Sequence, residues 1–142
     1  MDERPKPARL LALYLCLGLT QTAHSIEEMH AHLYEFFAVV GKRVGIPVSA
    51  MSPDLFAMLN FAIGGFFLFS LWGLAVRKRW AVAVATIAAV IETLNGILHL
   101  SGAAVFRGYV PGAATAPFLI LFGLSVLRTI FSQPRRGTDT DD

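Results

Sequence analysis

Long apolar runs, each free or nearly free of charge, recur along this chain. Leu10 to Ile26 contains no Asp, Glu, Lys or Arg, and Leu55 to Val76 runs 22 residues without one before the basic island Arg77 to Arg79. Trp80 to Leu100 carries Glu92 as its single charged residue, and Ala113 to Leu127 is uncharged up to Arg128. A helix needs about 20 predominantly apolar residues to cross a bilayer. The pattern therefore predicts an all-α fold, a polytopic membrane four-helix bundle, with helices at about 10–40, 54–76, 80–101 and 113–131. These form one domain over 10–131, between cytoplasmic tails at 1–9 and 132–142, the second polar and disordered.

The first helix is expected to outrun its apolar part and reach about Val40, where Gly41, Gly45 and Pro47 break it. Ser52-Pro53-Asp54 is a good start for the next helix, with proline in the first turn and an acid at the positive end. Gly64-Gly65 is expected to let a neighbouring helix approach closely.

Composition supports the same class. The chain is 55% hydrophobic and 15% charged, with mean hydropathy +0.58, whereas soluble domains carry about 25% charge. The pI near 9.0 does not signal nucleic acid, because the basic residues flank the apolar runs as topology determinants do. With the N-terminus inside, nine Lys and Arg fall on the inner side, and only Lys42, Arg43 and Arg107 on the outer. Both termini then face the cytoplasm of a multi-pass cell-membrane protein. A signal peptide competes for the first run, since Arg4, Lys6 and Arg9 precede it and small residues follow within Leu19 to Ser25. The helical continuation of the polar pattern favours a retained helix. Cys16, the only cysteine, can form no disulfide within the chain.

Polar residues interrupt the runs in one layer. At about 1.5 Å per residue from the inner boundary, His24 lies about 22 Å up and Glu27 and Glu28 about 27–28 Å. On the third predicted helix Glu92 lies about 20 Å up, Asn95 about 24 Å and His99 about 30 Å. Asn60 and Thr115 fall in the same outer half on helices running the other way. His24 shares a helix face with Glu27 and Glu28, and Gln21 and His32 continue that stripe. Glu92, Asn95 and His99 share another face. Buried ionisable groups at matching depth mark a functional site.

Three short motifs lie across this layer: His24-Ser25-Ile26-Glu27-Glu28, Asn95 to His99 (NGILH), and Tyr109 to Gly112 (YVPG). In this order they resemble the HXXEE, NXXXH and YXPG motifs of the HXXEE family of small integral membrane proteins. The resemblance implies a membrane domain with a shared polar site and fixes no reaction. His30 and His32 lie outside the motifs and are expected at the solvated interface.

Imidazole and carboxylate together suit zinc or non-haem iron. His24, Glu28, Glu92 and His99 are the candidate ligands of one divalent metal, and Glu27, Glu28 and Glu92 the candidate catalytic carboxylates. Asn95, Tyr109 and Asn60 are the candidates for binding substrate. Glu27-x-x-His30 is one Glu-x-x-His element, but Glu92 has Asn95 at that spacing, so a dimetal site is disfavoured. The leading expectation is a metal-dependent enzyme acting on an apolar, lipid-like substrate. Three others stay open: metal-free acid–base chemistry on a lipid or isoprenoid, transport or ligand binding, and a purely structural polar network. An almost wholly apolar inner half argues against a transport path through one protomer. Membrane lipids are the expected partners, with no nucleic acid.

Overall fold

The computed structural model describes residues 7–45, 49 and 51–132. Among them the chain is all-α, with no strands and five helices: α1 (Pro7–His30), α2 (Leu33–Val44), α3 (Pro53–Ala75), α4 (Arg79–Phe106) and α5 (Ala116–Phe131). Pro47, most of the expected N-terminal tail and nearly all of the C-terminal tail lie outside the described residues. Two helices, α3 and α4, are long and apolar enough to cross a membrane, while α5 is a shorter apolar helix.

The first helix departs from expectation. It does not run on to Val40 but ends at His30, and a new helix starts at Leu33. The break sits at His32, whose φ of 56° is left-handed, a region where His is tolerated better than most side chains. The Tyr34 hydroxyl lies 3.0 Å from His32 Nδ1. Leu33, Tyr34 and Phe56 are buried together, packed with Met29, Phe36 and Met51. Turning the chain at His32 brings the first turn of α2, Leu33 and Tyr34, against Phe56 of α3. Helical periodicity alone could not reveal this, because the apolar pattern restarts without a proline or glycine at the break.

Ser52 caps α3 as its sequence suggests, its hydroxyl accepting from Leu55 N at 3.2 Å. α4 runs on to Phe106, beyond the expected Ser101, and α5 begins at Ala116 rather than Ala113. The intervening segment 107–115 folds inward, so Val110, Pro111 and Gly112 are buried.

The core lies between α1, α3, α4 and α5, around Tyr14, Leu17, Phe67, Leu119 and Val126 with Ala85, Ala88 and Ala89. Tyr14 OH and Ser70 Oγ hydrogen-bond inside it at 2.6 Å. The most extensive contact is α4 on α5, and α1 packs on both α5 and α3. Small residues make the α4–α5 approach possible. A Cβ at Gly123 would overlap Thr93 Oγ1 and come within 2.9 Å of the Ala89 carbonyl oxygen, and one at Gly96 would reach the Ala116 carbonyl at 2.7 Å. Gly64 and Gly65 do the opposite of what was expected. Among the described residues, no atom outside the local helix backbone lies within 4 Å of a Cβ built at either, so no described helix packs against them.

Gly123→Ala should therefore lower stability by about 1–3 kcal/mol through overpacking. Thermal unfolding of the purified protein checks this.

Candidate metal centre

Three elements build the site: the last turns of α1, the last third of α4, and the inward-folded segment leading into α5. His24 and Glu28 stand one turn apart on α1, and the fold brings His99 of α4 against them. Glu28 Oε1 lies 3.2 Å from His24 Nε2 and 3.1 Å from His99 Nε2. The two imidazole rings meet edge to face, 4.7 Å between centroids. All three residues are buried, His24 completely. One ligand atom from each lies within 4.8 Å of the others, a grouping that can hold a metal ion.

The surrounding hydrogen bonds orient His24. Its Nδ1 lies 2.6 Å from Thr115 Oγ1. That hydroxyl donates its single proton to Glu27 Oε2 at 2.6 Å, since a carboxylate can only accept. Thr115 Oγ1 must then accept from His24 Nδ1–H. A neutral imidazole so fixed presents the Nε2 lone pair to Glu28 Oε1, one acceptor facing another. Such an approach requires a positive species between them, either a proton or a metal ion. The Asn95 side-chain amide lies 3.3 Å from the same Nε2.

Glu27 has a different job from its neighbour. Oε1 accepts from Tyr109 OH at 2.7 Å and from Ala114 N at 3.0 Å. Oε2 accepts from Thr115 N at 2.9 Å as well as from Thr115 Oγ1. An ionised carboxylate has about four lone-pair sites, and these four donors use them. Glu27 is thereby tied to the turn that enters α5, through the Ala114 and Thr115 N–H groups, near the positive end of the helix dipole. It is a clamp with no lone pair left for taking a proton, which does not fit the catalytic role expected of it. Tyr109 closes over this clamp as the donor. Partial burial, and then the hydrogen bond to Glu27, push its phenol above the ordinary 10.0.

Gly112 completes the wall. With φ of 89° it occupies backbone space that favours glycine. A Cβ there would meet His24 Cε1 at 2.6 Å and His99 Nδ1 at 2.7 Å. His99 Nδ1 is buried without a hydrogen-bond partner, with the Pro111 backbone beside the ring.

The remaining expected residues are placed as follows. Glu92 is buried, 5% exposed, with Oε2 unpartnered. It stands beside Asn95 and outside the His24–Glu28–His99 group. Asn60 donates to the Phe56 carbonyl at 3.0 Å and faces a groove between α1 and α3. His30 and His32 are exposed. Sequence reasoning missed the roles of Thr115 and the Ala114 N–H. Thr115 carried one signal, a hydroxyl next to a proline-bearing helix start at the depth of the cluster.

A family model described as "Protein of unknown function with HXXEE motif" matches residues 15–126, and the chain belongs to that family. No curated protein and no solved structure matches it.

Thr115→Val should remove both short hydroxyl contacts and cost about 2 kcal/mol or more, whereas Thr115→Ser should cost about 1 kcal/mol or less. Unfolding midpoints of the two variants against wild type check the difference.

Proposed function

We propose that this HXXEE-family chain is a multi-pass integral membrane protein whose His24, Glu28 and His99 hold one divalent metal ion, and that the site acts on a lipid-like substrate. The observation that carries the metal is the convergence of two imidazole Nε2 atoms and one carboxylate oxygen. Oriented acceptors around a shared point are what a two-histidine, one-carboxylate centre needs, and zinc and non-haem iron both use this donor set. The Nδ1–H of His24 bonding outward to Thr115 is the outer partner that fixes a ligating tautomer. A metal bound here would supply Lewis acidity toward a carbonyl or similar group.

The chain's own residues divide the remaining tasks. Glu92, buried beside Asn95 with a free oxygen, is the carboxylate placed to hold or move a proton. Asn95 stands between Glu92 and His24 and positions Glu92. Tyr109 and Glu27 keep the inward loop shut over the rings.

The membrane reading is supported by what the long helices expose. The apolar windows of α3 and α4 are only 17% and 39% buried within the protein, and Phe61, Leu68, Leu98 and Val105 stand largely exposed along them. Water would not tolerate an apolar surface of that extent, and a bilayer would cover it. α1, α3, α4 and α5 would be the crossing helices. The positive-inside bias puts both termini in the cytoplasm and the cluster in the outer half of the bilayer.

The same short contacts also favour a second reading, in which Glu28 is an ion-paired strut between protonated imidazoles. Metal content separates the two. Elemental mass spectrometry of freshly purified protein should find about one divalent ion per chain, lost in His24→Ala and His99→Ala and kept in Asn60→Ala. Wild type without stoichiometric metal would leave the strut. For orientation, reporters fused to either end should both report from the cytoplasmic side.

A further inference from the structure

A groove of about 590 Å³ runs between α1 and α3, on residues that the metal centre does not use. On α1 its lining extends from Tyr14 to His30, about 24 Å along the helix axis. Its volume falls within the about 300–1,000 Å³ of small-molecule sites. The length of the groove along α1 suits an extended ligand such as a hydrocarbon chain.

The lining is graded. Toward one end lie Leu15, Leu19, Phe67, Leu68 and Leu71; toward the other lie Gln21, Thr22, Ser25, His30 and Asn60, interleaved with Ile26, Met29, Ala57 and Phe61. The lining contains no Lys, Arg, Asp or Glu, so nothing in it matches a phosphate or a carboxylate by charge. Gln21 is 4% exposed, and its Oε1 has no hydrogen-bond partner. An acceptor left in that state calls for a donor.

Gly64 and Gly65 give an independent indication. Both line the groove, and among the described residues neither would meet an atom outside the local helix backbone if given a Cβ. Glycine is the least favourable residue in a helix interior after proline, and elsewhere in this fold Gly96 and Gly123 are explained by close helix contact. Here nothing among the described residues uses the space that two adjacent glycines leave.

We infer that the α1–α3 groove binds a single-chain neutral amphiphile: one hydrocarbon chain along Gly64, Gly65 and Phe67, with a hydroxyl-bearing head at Gln21, Ser25 and Asn60. Long-chain alcohols, isoprenoid alcohols and monoacylglycerols share this chemistry. The inference rests on the membrane reading above, though not on the metal.

The test uses the full chain in lipid nanodiscs and a diazirine-bearing cetyl alcohol as probe. Photolabel should map to α1 and α3. Gly64→Leu and Gly65→Leu should each reduce it at least about tenfold, a loss equivalent to about 1.4 kcal/mol of binding, with metal content unchanged. Gly64→Ala, which only narrows the groove, should label more weakly while melting no lower than wild type. Monooleoylglycerol should compete with the probe and oleate should not. Labelling that is indifferent to both leucine variants overturns the groove, as does labelling elsewhere. Equal competition by oleate overturns the neutral head. A wild-type dimer that Gly64→Leu dissociates, in the absence of label, overturns the inference in favour of a second copy as occupant. Label in the groove of a protein without metal would support the groove and remove the metal, so the two readings fail separately.

Discussion

The site depends on one contact that crosses the bundle, the carboxylate of Glu27 on the turn that enters α5. The first N–H groups of α5 itself are paired, Ala116 N with the Gly112 carbonyl and Phe118 N and Leu119 N with the Thr115 carbonyl. Thr115, the residue at the N-cap of α5, does not cap it with its own side chain. What the α1 carboxylate satisfies is the turn before the helix, accepting from Ala114 N and Thr115 N together. Once that contact forms, the depth of the 107–115 segment is set. Thr115 is then delivered to His24, and Gly112 is pressed against both imidazoles. The histidines are held in place by a loop that is itself held by a neighbour of the residue they share.

Two glutamates in succession therefore serve two elements. Adjacent residues on a helix point about 100° apart, so Glu27 turns toward α5 while Glu28 turns between α1 and α4. Glu27 is half-buried and Glu28 buried, and each carboxylate is paired differently. Glu27 is satisfied by four neutral donors. Glu28 is satisfied by two imidazoles that need a positive charge to share it. The same residue type thus provides a fixed brace in one case and an adjustable electrostatic centre in the other.

Much of this was legible beforehand because depth and face are simple functions of residue number. His24, Glu28 and His99 could be placed in one layer, on facing helices, from spacing alone. Glu27 could not be told apart from Glu28 in this way, since its partners include two backbone N–H groups, and every residue but proline has one. Thr115 was placed at the right depth, yet its hydroxyl matters through contacts made across 91 residues of sequence. The break at His32 escaped notice because the apolar pattern resumes directly after it, and only the packing of Tyr34 on Phe56 selects the turn. Gly64-Gly65 looked like a helix contact because small residues are common at such contacts. Only coordinates distinguish a glycine that is crowded from one that faces open space.

Gly112 has a consequence for how the chain can drift in sequence. Its residue type is set twice over, once by a positive φ and once by two ring edges less than a carbon's width away. Tyr109, three positions earlier, is held by one hydrogen bond and stands 62% exposed, so another donor of similar reach would serve there. The letters of YVPG are thus unequal in kind: replacing Tyr109 trades one chemistry for another, while replacing Gly112 requires the backbone and both histidines to move at once. A neutral path through sequence space stays open at the first position and is closed at the last.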